Sequence, residues 1–243
     1  MTFNFEEFVK ERDVNIREAQ KSEELRRLAL DFVSLSDRYK YGYFWEWLGL
    51  PIIQMPEDIL LTQELILREQ PEVIIEAGIA WGGSLALYAS MQTLIGAGQT
   101  IGIDVTIPEH NAKRILSTPV SSRITLFEGS STDLGIFEKV RNRVDSNSRK
   151  LVILDSNHTH KHVLDELRIW SKLLNSGDWI IVSDTVVEHI PKQLHRVRPW
   201  GPGNNPGSAL QQFLAENADF SDKNIYSDRT FASFSPRGYI KKI

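Results

Sequence analysis

From Glu72 onward the chain repeats one unit: a short run that is apolar almost throughout, followed by a stretch of helical periodicity. The runs are Val73-Ile74-Ile75, Thr100-Ile101-Gly102-Ile103, Ile124-Thr125-Leu126-Phe127, Leu151-Val152-Ile153-Leu154 and Trp179-Ile180-Ile181-Val182. A strand with one wet face alternates polar and apolar residues, whereas these runs have no polar side and must be covered on both faces. That pattern predicts a mostly parallel, doubly wound α/β sheet of Rossmann-like type, with helices over Ser84 to about Leu94, Pro108 to about Leu116, Leu134 to Val144 and His160 to Leu174. Thr230-Phe231-Ala232-Ser233-Phe234 and Tyr239-Ile240, joined through Ser235-Pro236-Arg237-Gly238, predict a closing antiparallel hairpin.

Upstream the pattern differs. Residues 5–38 are rich in Glu, Arg and Lys, with Phe5, Phe8, Leu25, Leu28, Phe32 and Leu35 at helical spacing, which predicts one or two amphipathic helices. We divide the chain into 1–40, a cap or oligomerisation arm, and 41–243, the α/β domain. The aromatic cluster Tyr39, Tyr41, Tyr43, Phe44, Trp45 and Trp47 either packs a core or walls a ligand, and Pro56-Glu57-Asp58 opens a helix that Pro71 closes behind.

With 243 residues, the chain is long enough for one large core. It has no cysteine, so disulfides, thiolate zinc sites and thiol nucleophiles are excluded, and any metal must be held by oxygen or imidazole. A net charge of −4 without a dense Lys/Arg stripe argues against nucleic acid as a partner. No run is long enough for a membrane span and no signal-like segment opens the chain, so the expected location is cytoplasmic.

The chemistry-bearing residues cluster at predicted strand ends. Glu76-Ala77-Gly78-Ile79-Ala80-Trp81-Gly82-Gly83-Ser84 is a Gly-rich turn that brings backbone close to a ligand and exposes a helix N-terminus. Gly78, Ala80 and Gly83, with Asp104 placed for a ribose hydroxyl, also fit a relaxed dinucleotide fingerprint, so a nicotinamide-dependent oxidoreductase is an alternative. Glu76 weighs against it, because a carboxylate there attracts an ammonium and repels a pyrophosphate. Glu128-Gly129-Ser130-Ser131 ends the third strand, where an adenine could rest or an ordinary turn could sit. Asp155 and Asp184 end the fourth and fifth strands and can converge on one hard cation such as Mg²⁺, unless they only cap helices. His158, three residues after Asp155, has a pKa range suited to deprotonating a hydroxyl; with His160 it could equally lie on the surface. Asp165-Glu166 reads as a solvated helix face. The Pro/Gly-rich segment from Arg196 to Pro206, with Trp200 at its centre, suits either a lid or a rigid connector.

These motifs, taken in order, resemble the cephalosporin hydroxylase family, whose fold is that of S-adenosylmethionine-binding methyltransferases and whose relatives include macrolide-sugar and rhamnosyl O-methyltransferases. The likeness runs from about Tyr41 to Lys241. It implies a metal-assisted O-methyltransferase that acts on a hydroxyl of a sugar or other small or glycosidic acceptor; separately, the polar helical N-terminus predicts a homo-oligomer. By the same resemblance, Glu76 and Gly78 lie by the methionine part of the cofactor, Asp104 by its ribose, and Gly129 and Ser130 by its adenine, and Ser84 also belongs to the cofactor-binding set. Asp155 and Asp184 are then metal ligands, Asp155 also borders the cofactor, and His158 is the base. One position departs from those relatives: Ser183 stands where they carry an acid. That leaves the cation one carboxylate fewer unless Glu188 folds back, and it is the one feature favouring a non-catalytic S-adenosylmethionine-binding protein.

Overall fold

The computed structural model describes residues 4–243. Each apolar run became a strand of one seven-stranded sheet: β3 (Val73–Ala77), β4 (Gln99–Asp104), β5 (Ile124–Glu128), β6 (Lys150–Leu154) and β7 (Trp179–Val182). With β8 (Phe220–Ser221) and β9 (Tyr239–Lys242) added, the spatial order is β5-β4-β3-β6-β7-β9-β8, and β5 to β7 run parallel. The chain leaves β3, builds outward to β5, then returns to β3's other side with β6. That reversal opens the crevice beyond the strand ends where ligands of such sheets bind.

Helices α4 (Gly83–Ile95), α5 (Glu109–Leu116), α6 (Leu134–Arg141) and α7 (His160–Trp170) fall where helical periodicity placed them, α6 and α7 ending a turn early. Two apolar layers sandwich the sheet. On one face Ile75, Ile101, Val152 and Ile180 pack with Phe137, Leu167, Trp170 and Phe213; on the other Ile74, Leu151, Ile153 and Ile181 pack with Leu65, Tyr88 and Tyr226. Consecutive strand residues thus alternate between two dry layers, which is why the runs carry no polar side. Phe137 meets Trp170 edge-on at 5.4 Å, and the indole N–H of Trp170 donates to the Ser131 carbonyl at 3.0 Å, tying α7 to the end of β5.

The closing hairpin is built from other residues than its sequence pattern indicated. β9 (Tyr239–Lys242) lies antiparallel to β7, but its second partner is β8 (Phe220–Ser221), and 230–234 forms no strand. The backbone amides of that run are spent elsewhere. Those of Phe231 and Ala232 donate to Glu57, and that of Phe234 to Asp58 at 2.8 Å, with the Ser233 hydroxyl also on Asp58. These acids open α3 (Pro56–Glu69), so side-chain acceptors replaced a strand ladder.

Ahead of the sheet lie α1 (Phe5–Lys21), α2 (Glu23–Asp37) and a hairpin of β1 (Trp45–Trp47) and β2 (Leu50–Ile52). α1 buries none of its residues and α2 only Val33. The aromatic cluster divides: Trp45 and Trp47 pack against the core, Tyr41 sits edge-on among Phe32, Phe44 and Trp45, and Tyr39 and Phe44 are 72% and 61% exposed. α8 (Pro206–Glu216) follows the Pro/Gly segment, started by Asn205 in a reciprocal cap with Ser208.

Gly78 holds the turn after β3 at φ +87°, where a Cβ would lie 2.2 Å from the Asp155 carbonyl oxygen. Gly78→Ala is expected to cost roughly 2 kcal/mol or more, combining left-handed strain with overpacking against backbone. Urea denaturation of the two proteins measures this, and equal midpoints would refute the close approach.

Candidate functional site

The parallel strands deliver the named residues to one edge. Asp155 follows β6, its amide donating to the Ala77 carbonyl at 2.8 Å; Ser183 follows β7, its amide donating to Leu154 at 3.0 Å. Asp184 then adopts φ 56°, a left-handed conformation that Asp tolerates better than most residues, and this turns its carboxylate back toward Asp155. His158 reaches the same point from the loop before α7. Its Nε2 is 3.6 Å from Asp184 Oδ2, and one ligand atom each from Asp155, His158 and Asp184 lie within 4.8 Å of one another. Trp200 meets the His158 ring edge-on at 4.9 Å, and the Arg198 guanidinium lies 4.8 Å from the Trp200 ring centroid.

This group opens into a cavity of about 490 Å³. Gly78, Ser84, Asp104, Gly129, Ser130, Asp155, His158 and Asp184 all line it. Glu76 does not: it is fully buried, its carboxylate accepting from the Ser84 hydroxyl at 2.8 Å and the Tyr88 hydroxyl at 3.2 Å, so Ser84 fronts the cavity. Asp104 braces the Gly-rich turn, accepting from the Ile79 amide at 3.1 Å.

Buried acids dominate the electrostatics behind the site. Burial pushes Glu76 up to about 8 and Asp58 up to about 7, outweighing their hydrogen bonds. Asp155 is also held well above the ordinary carboxylate range, first by its enclosure in protein and then by the neighbouring charge of Asp184. That unrelieved like-charge pair fits a divalent cation. The donor set, two carboxylates and an imidazole with no thiolate, suits a hard or borderline ion.

Three sequence readings change. Glu188 does not replace the acid missing at Ser183, because its Oε2 accepts from the Gly203 amide at 2.9 Å and from the Asn205 amide group, holding the Pro/Gly segment. His160 is no idle surface residue: its ring bonds Ser208 and Gln212 at 2.8 and 2.9 Å, and its amide donates to Asn204. Glu166 is not solvated; it is 0% exposed. Its position was legible, since 166 lies three residues after Val163 and four before Trp170, on the buried stripe of α7.

Sequence reasoning also missed the contribution of α2. Val33 and Asp37 line the cavity, and Asp37 accepts from His195 at 2.8 Å and pairs with Arg196. No local pattern signals that contact, which spans about 160 positions of chain.

The family of rhamnosyl O-methyltransferase/CmcI proteins matches residues 39–243. The chain belongs to that family. Membership makes it an S-adenosylmethionine-dependent O-methyltransferase and removes the dinucleotide reading of the Gly-rich turn. It is 26% identical to the rhamnosyl O-methyltransferase of Mycobacterium leprae, over 84% of this chain and 87% of that protein. It is 30% identical to that of Mycobacterium bovis, strain BCG, over 80% of this chain and 76% of the relative. The fold is shared with solved structures. A CmcI variant described with Mg and S-adenosylmethionine has a TM-score of 0.58 at 21% identity, covering 83% of this chain and 77% of that one. TomG of Streptomyces achromogenes, an O-methyltransferase, has a TM-score of 0.53 at 19% identity, covering 79% and 80%. No described helix is long and apolar enough to cross a membrane.

The buried acids set a pH dependence. Glu76 goes from an ordinary 4.5 to about 8 on folding and Asp58 from 3.8 to about 7, so between these limits the folded protein binds protons that the unfolded chain releases. Stability therefore falls as pH rises through roughly 4 to 8, by about 1.4 kcal/mol per pH unit for each fully linked proton, and levels off above. Urea midpoints at pH 5, 6, 7 and 8 read this directly, and Glu76→Gln is expected to flatten the slope; a slope of opposite sign would contradict the assignment.

Proposed function

We infer that the chain methylates a hydroxyl of a sugar or glycosylated acceptor, with a divalent cation held by Asp155 and Asp184 and with His158 beside them as the base. The observation that carries this reading is the convergence of those three side chains on one point of a cavity that also receives Gly78, Asp104, Gly129 and Ser130. The sugar class is supported by the rhamnosyl O-methyltransferases among the relatives.

In this reading the cofactor's methionine end lies at Gly78 and Ser84, with Glu76 behind them. An ammonium beside Glu76 would draw its raised pKa back down and hold it ionised. Asp104 accepts from the ribose, and Gly129 and Ser130 border the adenine. A bound cation would lower the pKa of an acceptor hydroxyl and orient it. His158 takes the hydroxyl proton on an imidazole nitrogen, and Asp184, 3.6 Å away, stabilises the resulting imidazolium. Bound S-adenosylmethionine would supply the methyl group, the acceptor oxygen taking it as the sulfonium becomes a neutral thioether. Alignment at near-attack distance supplies the largest part of the acceleration, up to about 7–11 kcal/mol in ideal cases. The 191–205 loop, with Trp200 over His158, excludes water from the neutralisation of the sulfonium.

Residues 1–40 act as a cap through Val33 and Asp37, and the exposed Leu25, Leu28, Phe32 and Leu35 of α2 offer a seam to a second copy. Gel filtration of a variant with these four residues changed to Ser tests the homo-oligomer.

Isothermal titration with S-adenosylmethionine, S-adenosylhomocysteine and NADH, each with and without Mg²⁺, tests the cofactor assignment; binding of NADH alone would overturn it. Against a panel of rhamnosides and related glycosides, His158→Ala is expected to lower turnover by about 10² to 10⁴ with cofactor affinity nearly unchanged. Cofactor binding without transfer to any acceptor would favour the non-catalytic alternative that Ser183 suggests.

A further inference from the structure

A second polar cluster stands at the ends of β5 and β6, and the chemistry above does not use it. Glu166 is fully buried, and one of its carboxylate oxygens, Oε1, accepts from two hydroxyls: Ser131 at 2.5 Å and Ser156 at 2.6 Å. Its other oxygen, Oε2, is buried and has no hydrogen-bond partner among the described residues. His162 Nε2 lies 3.1 Å from the Ser156 hydroxyl and 3.3 Å from that of Ser131. Ser131, Ser156 and His162 line the same cavity as Asp104, Gly129 and Ser130; Glu166 lies behind them.

The hydrogen-bond directions in this cluster are determined by the buried acid. A hydroxyl has one proton and two lone pairs. With the protons of both serines committed to Oε1, their oxygens can only accept from anything else. His162 must then present Nε2 as a donor to them, which selects its tautomer. The lone pairs left over are acceptors at the cavity wall. A ligand group that donates, such as an exocyclic amino group, is satisfied there. A carbonyl in the same place would face only acceptors and lose its hydrogen bonds on leaving water, the kind of mismatch that discriminates strongly.

We propose that Glu166 is a positioning residue that polarises Ser131 and Ser156, so that this end of the cavity selects a nucleoside with an amino rather than a keto group on its purine. The inference rests on the S-adenosylmethionine reading, in which the adenine lies beside Gly129 and Ser130. It adds the groups that read the purine's polar edge.

The test compares S-adenosylhomocysteine with S-inosylhomocysteine, in which a carbonyl replaces the amino group and the adjacent ring nitrogen N1 changes from acceptor to donor, by isothermal titration of the full chain with Mg²⁺. The wild-type protein is expected to prefer the adenosyl compound by roughly 10- to 100-fold, as for one or two well-placed hydrogen bonds in an enclosed site. Glu166→Gln can return an N–H to one serine and free its proton to face the ligand, so its preference should shrink to within about threefold, mostly through weaker adenosyl binding. Ser156→Ala removes one acceptor while Ser131 keeps its hydrogen bond to Glu166, and it should narrow the preference in the same direction, which keeps the test decisive if Glu166→Gln does not fold. Equal wild-type affinities, or variants that keep the full preference, would overturn the proposal while leaving the methyltransferase reading intact. Failure of the wild-type protein to bind either compound would overturn both.

Discussion

Asp155 and Asp184 are brought together by adjacent parallel strands, and the site is organised around the repulsion between them. Parallel register puts the ends of β6 and β7 side by side, with Leu154 opposite Val182, so residues just beyond those positions have nowhere to go but toward each other. The left-handed turn at Asp184 completes the approach. Two carboxylates in such an enclosure are costly, and Asp155 answers by holding its proton unusually well. A cation between them would relieve the same stress. Glu76 and Asp58 add further buried acids behind the pair, so burial raises the electrostatic cost at this edge of the sheet.

A second layer of contacts encloses the site. The 191–205 loop is held from three directions: by Glu188 and Asn205 at its C-terminal side, by His160 through Asn204, and by Asp37 of α2 through His195 and Arg196. Arg196 also lies 5.7 Å from the centroid of the Tyr43 ring, so the aromatic segment before β1 takes part. α2, which lies outside the family match, thereby reaches the cavity that the family residues build. The prolines of this loop lower the conformational entropy lost when it is ordered and its glycines raise it, so the polar contacts that hold it work against the glycine share of that cost.

Much of the fold could be read from periodicity because each apolar run is buried on both faces and each helix on one, and burial writes itself into local sequence. Where the reading failed, the deciding partner was distant. The run 230–234 has the residues of a strand, but Glu57 and Asp58, more than 170 positions away, took its amides. Glu166 resembled a surface charge because Asp165 beside it is one. Its neighbours Ser131 and Ser156 come from two other strand ends. Glu188 sits close enough in sequence to Asp184 to suggest a ligand, and the left-handed turn with the 3-10 helix after it directs Glu188 to the loop instead.

What the sequence determined by itself was the parallel sheet, the strand-end placement of Gly78, Asp104, Gly129, Asp155 and Asp184, and the family. These follow from hydrophobic pattern and local turn chemistry, which act over a few residues. Only the tertiary structure decided which of those side chains face the cavity, that Glu76 stands behind Ser84, that His158 joins the two acids, and that α2 and the 191–205 loop share Asp37. Those outcomes depend on strand order and on contacts between segments far apart in the chain. Their energies exist only once the sheet has assembled, so no local pattern in the sequence can carry them.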